Sequence, residues 1–312
     1  MAKFHINTCP VCNGTVFNTH GEVKDMMVSK ESFKLLKCNG CGLILTQDTP
    51  AEEEISTYYK SDIYISHSDT KEGLINRLYH RARRIMLGRK RRLFENLPIS
   101  SKRLLDIGAG TGYFAHHMQE HGWQISAIEP DEEARLFMKK QFGINAAPSS
   151  SLYHIEKGSY SVISMWHVLE HVYDLEKYLQ TIYDILCPDG YFVIALPNPD
   201  CYDAEKQGWQ WSAWDVPRHI WHFNPAVTEN LLGKYGFELE RKVVMPFDGF
   251  YNALKTYILT GDRLAYLKGP LIGLLAYLKG VINPDKASSL IYVAKKIPLS
   301  SDIGPKIMAN EE

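Results

Sequence analysis

The sequence predicts the α/β class, built on a doubly wound, mostly parallel sheet, and three observations carry that expectation. Beyond Ser100 the chain alternates apolar strand-like runs with helical runs, as parallel βαβ units require. The first of these strands ends in a glycine turn, Gly108-x-Gly110-x-Gly112, that opens directly onto a helical stretch. Ahead of this region, two Cys-x2-Cys pairs mark a small N-terminal module.

Cys9-x2-Cys12 and Cys38-x2-Cys41 each sit in a turn and are followed by Gly14 and Gly42. Two such knuckles, joined by a short β-rich stretch, bring four thiolates into the tetrahedral arrangement zinc prefers, in a segment too small to fold on its own core. We expect a structural zinc ribbon over residues 1–50, with Cys9, Cys12, Cys38 and Cys41 as ligands. An all-thiolate site leaves no open position for a substrate. Four unrelated buried thiols or a redox pair are the alternative, and Cys187 and Cys201 stand isolated. The opening residues MAKFHINTCPVC lack the apolar run of a leader peptide, and the cysteines form no disulfide framework, so a cytoplasmic setting is expected. With 45% hydrophobic and 23% charged residues and a net charge of -1, the 312 residues offer no global attraction to nucleic acid or membrane. Any such partner has to come from a local patch.

One patch lies in residues 51–97, read as a helical basic linker. Leu74, Leu78, Ala82, Ile85, Met86 and Leu93 recur at helical spacing, and Arg77, Arg81, Arg83, Arg84, Arg89, Lys90, Arg91 and Arg92 fill the remaining faces. A solvated face of a packed helix and a contact with phosphate, acidic lipid or RNA both fit this pattern.

The main domain is expected over residues 98–300. RLLDI, WQISAIE, YSVISMW and GYFVIAL read as strands, with YFAHHMQEHG, DEEARLFMKKQFG and DLEKYLQTIYDIL as the helices between them, and FELERKVVMPF and SLIYVAKKI as a closing pair of strands. The glycine turn alone fits nucleotide binding and a plain tight turn equally well. Its context is more specific. The spacing is G-x-G-x-G rather than the dinucleotide G-x-G-x-x-G, Asp106 directly precedes the turn, and Glu129 closes the second strand, where a carboxylate accepts both ribose hydroxyls. Together these point to S-adenosylmethionine rather than a nicotinamide cofactor.

LLDIGAGTGYF, followed by AIEPD and VISMWHVLEHV, resembles the class I methyltransferase superfamily, in particular its UbiG-like methyltransferases, over residues 100–200. The resemblance implies a Rossmann-like, seven-stranded sheet with the closing strand pair as its antiparallel edge. It implies that Asp106, Gly108 and Gly110 lie against the methionine part of S-adenosylmethionine and that Glu129 holds its ribose. Ala109, Gly112, Tyr113 and Pro130 flank these positions, and Trp166 and His167 are further lining candidates. Ala147 to Ser150 border the adenine, with serines where the family commonly has an acidic residue.

Methyl transfer is an in-line displacement at an activated sulfonium carbon, so the protein aligns donor and acceptor and, for a hydroxyl acceptor, removes a proton. His167-Val-Leu-Glu170-His171 falls after the fourth strand, at the mouth where open α/β sheets bind ligands. It matches the H-x-x-E-H string of some zinc peptidases, which needs one continuous helix, whereas here the next helix is expected to begin at the N-cap Asp174. Some UbiG-like enzymes carry E-x-x-E-H at this place and bind a divalent metal with it. His167 replaces the first glutamate, which leaves a structural role, acid–base work and a second divalent metal as open alternatives.

A denser cluster follows the fifth strand: Trp209, Trp211, Trp214, Asp215, Arg218, His219, Trp221, His222 and Phe223. It resembles the D-x-P-R-H-x-x-H-F segment of methyltransferases linked to sugar and polysaccharide pathways. Aromatic faces suit a sugar ring or the sulfonium charge, and a buried polar network pinning the loop fits the same residues. His219, His222, His171 and Asp215 are the catalytic candidates.

The insertion at 248–286 contains LAYLKGPLIGLLAYLKGVI, whose uncharged run Gly269–Leu278 is too short to span a bilayer. A lid, a dimer contact and a peripheral membrane contact are its readings. The expected function is S-adenosylmethionine-dependent methyl transfer to a small-molecule or glycan acceptor, on oxygen, with the oligomeric state left open. The rivals are an RNA methyltransferase and a non-catalytic S-adenosylmethionine-binding protein. Against RNA stand the near-zero charge and SMWHVLEH, where nucleobase amino methylases often carry [DN]-P-P-[YF].

Overall fold

The computed structural model describes residues 2–59 and 74–298, with side chains from His80 onward in the second block. The stretch 60–73 of the expected linker, and the side chains of Leu74, Arg77 and Leu78, lie outside the described residues.

The N-terminal part is a β-ribbon. Strands β1 (Lys3–Phe4), β2 (Phe17–Lys24), β3 (Ser32–Cys38), β4 (Ile44–Thr46) and β5 (Thr49–Pro50) follow in order, β2–β3–β4 pairing antiparallel and β5 returning to β1. Its two knuckles close where the chain turns left-handed: Asn13 has φ 59° and Gly42 φ 81°, and their N–H groups donate back to the carbonyls of Cys9 and Cys38.

Helix α1 (Leu74–Glu95) buries Leu93 and Phe94 against Phe114, Met118 and Trp123, while Arg81, Arg84, Arg89 and Arg92 face solvent. The alternation that follows is β6 (Arg103–Ile107), α2 (Tyr113–Glu120), β7 (Gln124–Ile128), α3 (Glu132–Phe142), β8 (Tyr160–Trp166), α4 (Leu175–Ile185) and β9 (Leu186–Pro197). The chain continues with α5 (Tyr202–Gln207), β10 (Trp221–His222), α6 (Pro225–Lys234), β11 (Phe237–Val244), α7 (Asp248–Leu259), α8 (Ala265–Ile282) and β12 (Ser289–Lys296). Asp131 caps α3 by accepting from the amides of Glu133 and Ala134, and Asp174 caps α4 through the amide of Lys177.

The main sheet has the order β11-β12-β9-β8-β6-β7, parallel from β7 to β9, with β12 antiparallel to both β9 and β11. The closing pair is thus the antiparallel edge. Six strands form this sheet among the described residues, and the seventh position, beside β7, is held by a single parallel bridge, Ile128–Ala147. The reason is local. Between the left-handed cap of α3 at Gly143 (φ 70°) and Pro148, which opens a short 3-10 turn, too few residues remain for a ladder, and proline has no N–H to extend one.

The ribbon shares its core with the main domain. Cys9, Val11, Cys38, Leu43 and Leu45 are buried in one cluster with Leu169, Phe192, Ile220, Trp221 and Phe223. Strand β10 adds a fourth strand to the ribbon sheet, Trp221 pairing with Leu45 and His222 with Ile44.

Candidate cofactor and acceptor site

At the end of β6 the chain makes three left-handed turns, with φ 69° at Gly108, 54° at Gly110 and 80° at Gly112. Two of these glycines are also needed for space: a Cβ on Gly108 would stand 2.3 Å from Val168 Cγ2, and one on Gly112 2.4 Å from Met138 Cγ. Gly110 instead offers its amide, which donates to Glu129 Oε2 at 2.7 Å, while the Asp131 amide donates to Oε1 at 2.9 Å. Glu129 is therefore clamped at the end of β7, and burial raises its pKa against the pull of these amides. Ala109 donates its N–H to the carbonyl of Ile128, which ties the turn to the same strand end. The carbonyls of Glu129 and Pro130 both accept from Arg135 Nη1, at 2.8 and 2.6 Å.

Asp106 is buried, and Ser164 Oγ donates to its Oδ1 at 2.7 Å. Its Oδ2 has no hydrogen-bond partner among the described residues. Burial pushes the Asp106 pKa up to about 7, with Ser164 and Lys90 opposing. Lys90 turns inward from the basic helix, its Nζ 3.6 Å above the Trp166 ring, and burial lowers its pKa to about 8. Trp166 packs against Phe94 and Phe114, and Tyr113 lies beneath the Arg83 guanidinium at 4.2 Å. An orphan carboxylate oxygen, a turn that excludes side chains and a strand-end glutamate fit an ammonium group and a ribose, the polar ends of S-adenosylmethionine.

Beside this cradle, the residue after β8 is His167, held at φ 57°. Leu169–His171 form a single 3-10 turn, not the continuous helix that a peptidase string requires. Glu170 is 1% exposed and neither of its oxygens has a hydrogen-bond partner among the described residues. His167 Nδ1 stands 3.5 Å from Glu170 Oε1 and its Nε2 3.1 Å from Asp248 Oδ2. Burial works against charge on His167, yet Asp248 and Glu170 outweigh it and raise its pKa to about 10.

His219 and His171 approach Glu170 from the other side, their rings 4.7 Å apart at 76°. His219 Nδ1 donates to the Ala213 carbonyl at 2.9 Å, which leaves the Nε2 lone pair facing Glu170 Oε1 at 4.0 Å. His171 Nδ1 donates to the Arg218 carbonyl at 2.9 Å, and the Tyr59 hydroxyl lies 3.1 Å from the same nitrogen. One ligand atom from each of Glu170, His171 and His219 falls within 4.8 Å of the others. Burial, with His171 alongside, lowers the His219 pKa to about 4, so the ring is neutral near pH 7.

The other two catalytic candidates take different places. Asp215 grips Arg218 with both oxygens, at 3.1 and 2.9 Å. Arg218, 1% exposed, also donates to Asp25 Oδ1 at 3.0 Å and to the Tyr58 carbonyl at 2.8 Å. Thr46 Oγ1 donates to the His219 carbonyl at 2.7 Å, so it is His222 Nε2 that donates to Thr46, at 2.9 Å. Asp215 and His222 thus enter the buried network joining ribbon to loop, whereas His171 and His219 face Glu170, with Asp215 Oδ2 also 3.9 Å from His219 Nε2. Trp211 and Trp214 join the same packing, their indole N–H groups donating to Asp203 and to the Gly208 carbonyl. Sequence reasoning passed over Lys90 and Asp248 as site residues, since only tertiary packing brings them to the strand ends.

The four cysteine sulfurs lie within 4.8 Å of one another, Cys9–Cys41 and Cys12–Cys38 each at 3.5 Å. Zinc bonds of about 2.3 Å in a tetrahedron need sulfurs roughly 3.8 Å apart, so the cluster is close to that size. Gly14 and Gly40 wall it, a Cβ at either coming 3.2 or 3.0 Å from Cys12 Sγ.

The family model for a methyltransferase domain matches residues 78–242, more than half of the chain. The ubiquinone biosynthesis O-methyltransferase of Caulobacter sp. (strain K31) is 30% identical over 108 residues, 32% of this chain and 43% of the relative. The mitochondrial ubiquinone biosynthesis O-methyltransferase of Bos taurus is 24% identical over 174 residues, 50% of this chain and 47% of the relative. The chain spans under half the length of these two relatives. A solved Burkholderia thailandensis 1,6-didemethyltoxoflavin-N1-methyltransferase, with bound 1,6-didemethyltoxoflavin and S-adenosylhomocysteine, matches at TM-score 0.49 and 16% identity, covering 82% of this chain and 96% of that one. The chain therefore belongs to the methyltransferase domain family, and its strand order and glycine turn place it among the class I, S-adenosylmethionine-dependent members.

Proposed function

We propose that this protein transfers the methyl group of S-adenosylmethionine to a hydroxyl of a small-molecule acceptor, a glycan included, and that Cys9, Cys12, Cys38 and Cys41 hold a structural zinc ion. The observation that carries this reading is the adjacency of two groups at neighbouring strand ends: the Asp106–Glu129 cradle and the Glu170–His171–His219 cluster. When bound, the cofactor supplies an electrophilic methyl on sulfonium. Asp106 would accept from its ammonium group and Glu129 would accept from its ribose hydroxyls. His219, neutral and with its Nε2 lone pair free of the Ala213 bond, takes the acceptor's proton. Glu170 stabilises the imidazolium that results, at 4.0 Å. The relatives named above are O-methyltransferases, which accords with oxygen as the target.

A second reading of the cluster has its own support. Both histidines are tied through Nδ1 to backbone carbonyls, and Glu170, whose one close charged neighbour on the cradle side is His167 at 3.5 Å, has no hydrogen-bond partner on either oxygen among the described residues, as in the outer shell of a cation site. A divalent cation held by Glu170, His171 and His219 would acidify a bound hydroxyl.

Calorimetry with S-adenosylmethionine and a methyl-transfer assay on a panel of phenolic and sugar hydroxyl acceptors test the proposal. His219→Asn is expected to keep cofactor affinity within about twofold and to lower turnover by roughly 10²–10⁴. Unchanged turnover removes His219 as the base. Turnover abolished by chelator and restored by a divalent cation other than zinc selects the second reading.

A further inference from the structure

The α7–α8 hairpin carries an apolar surface that neither the sheet nor the ribbon covers. Along α8, Ala265, Gly269, Gly273, Ala276 and Gly280 form the buried face. That face seats α8 tightly on α7: a Cβ on Gly273 would come 2.5 Å from Phe250 Cα, and one on Gly269 2.7 Å from Leu254 Cα. On the opposite face Leu267, Leu271, Leu274, Leu278, Val281 and Ile282 are between 45% and 82% exposed. Tyr251 and Ile258 extend the surface onto α7, at 51% and 48% exposure. Contiguous apolar stripes of this kind mark contact sites on folded proteins.

The rims of the stripe say what it contacts. With about 100° of rotation per residue, Tyr266 and Tyr277 fall along one edge of the apolar arc and Lys268 and Lys279 along the other. Tyrosine and lysine are both apolar along the body and polar at the tip, which is what a boundary between hydrocarbon and headgroups demands. The helix has no acidic residue of its own. Lys268 is paired with Asp262 at 2.6 Å, whereas exposed Arg263 and Lys279 have no ion pair among the described residues.

A second copy would not complement this surface. An antiparallel isologous contact would set the two cationic edges against each other and a parallel one would set each against a tyrosine edge, in both cases with no acid on either helix, whereas helix seams place opposite charges beside the apolar positions. Nor is α8 free to span a bilayer: its 18 residues are long and apolar enough by composition, but its small-residue face is committed to α7. Anionic headgroups supply the missing charge, and the acyl boundary takes the leucines.

We infer that the α7–α8 hairpin docks this protein on an anionic phospholipid surface, with α8 lying in the plane of the interface. The test uses the full chain with sedimented vesicles of phosphatidylcholine alone or with one quarter phosphatidylglycerol. The wild type is expected to pellet with the anionic vesicles and more weakly with the neutral ones. Leu271→Glu/Leu278→Glu should lower partitioning at least about tenfold. Lys279→Glu should reduce the preference for anionic vesicles about fivefold. Both variants should keep wild-type thermal stability and S-adenosylmethionine affinity, since these side chains are exposed and none belongs to the cradle. Absence of wild-type pelleting, or equal pelleting of the double variant, overturns the inference. So does equal binding to neutral vesicles, or a wild-type dimer in sedimentation velocity that the double variant dissolves without any vesicle binding.

Discussion

Replacing Arg218 by methionine should destabilise this protein more than any other single change in the loop, and the size of the effect follows from its bonds. The guanidinium makes two bonds to Asp215, one to Asp25 and one to the Tyr58 carbonyl, all from a residue that is 1% exposed. Asp25 would survive the loss, because the amides of Met27, Val28 and Ser29 still donate to it. Asp215 would not. Against the cost of burial, Lys255 and Arg218 hold its carboxyl well below the usual carboxylate range, and without Arg218 it is left buried with both charge-assisted bonds gone. Breaking a buried pair in this way costs about 3–5 kcal/mol. For a chain of 312 residues, with an unfolding entropy of about 2.1 cal/mol/K per residue, each kcal/mol moves the melting temperature by about 1.5 °C, so Arg218→Met should lower it by roughly 5–8 °C. Calorimetric or dichroism melts measure this directly, and adding Asp215→Asn should recover a good part of the loss by removing the stranded charge. A drop of less than about 2 °C would refute the reasoning, since the network would then be ornamental.

The remaining expectations concern cofactor, metal and acid. Glu129→Ala removes both the proposed ribose acceptor and the tether on Gly110, and should raise the dissociation constant for S-adenosylmethionine about 10–100-fold by calorimetry; an unchanged value would remove Glu129 from the site. If the four cysteines hold the proposed zinc, the purified protein should carry about one zinc by elemental analysis, and stripping it should lower the melting temperature by more than about 10 °C, because the knuckles it would close pack into the core shared with the main domain. Burial lowers the pKa of His219 to about 4 and that of His222 well below its ordinary value. The unfolded chain, titrating near about 6.5, then binds protons first, so the stability these rings contribute is present above that pH and is lost as pH falls from there toward 4. Melting temperature should decline across that window and His222→Gln should flatten the decline; a flat wild-type profile would contradict the buried, neutral assignment.

Much of the cofactor cradle was legible because its grammar is local. Three left-handed glycines, an aspartate before them and a glutamate at the next strand end are fixed by backbone geometry within a single βαβ unit, and the cap at Asp174 is read from its own helix. The cysteine knuckles are local in the same sense. His219 and His222, three residues apart, could not be told apart in this way. Their roles are set by the Ala213 carbonyl, Thr46 and Glu170, and no periodicity announces which ring turns toward which. The bond between Arg218 and Asp25 spans 193 residues, and β10 is a strand of two residues that exists only because β4 lies beside it. Lys90 was one of eight basic residues in a patterned helix, and composition does not show which one points inward. The expected seventh strand shrank to a bridge because Gly143 and Pro148 bracket too short a segment.

These long-range contacts bear on what the ribbon does. A module that merely rode on the enzyme would leave the strand ends intact if it melted. Here Thr46, in the last strand of the ribbon sheet before β5, donates to the carbonyl of His219 and accepts from His222, and Asp25 at the far end of β2 anchors Arg218. The Arg218 carbonyl in turn receives His171 Nδ1–H. Of the two imidazoles facing Glu170, His219 therefore sits on, and His171 is hydrogen-bonded to, a loop whose backbone is positioned by residues 25 and 46. The cysteine cluster lies in the same apolar core as Leu43, Leu45 and Trp221, so loosening the knuckles would loosen β4 and β10 together. On this geometry the four-cysteine ribbon and the Glu170–His171–His219 cluster are one mechanical unit, whereas the Asp106–Glu129 cradle makes its own bonds at the ends of β6 and β7.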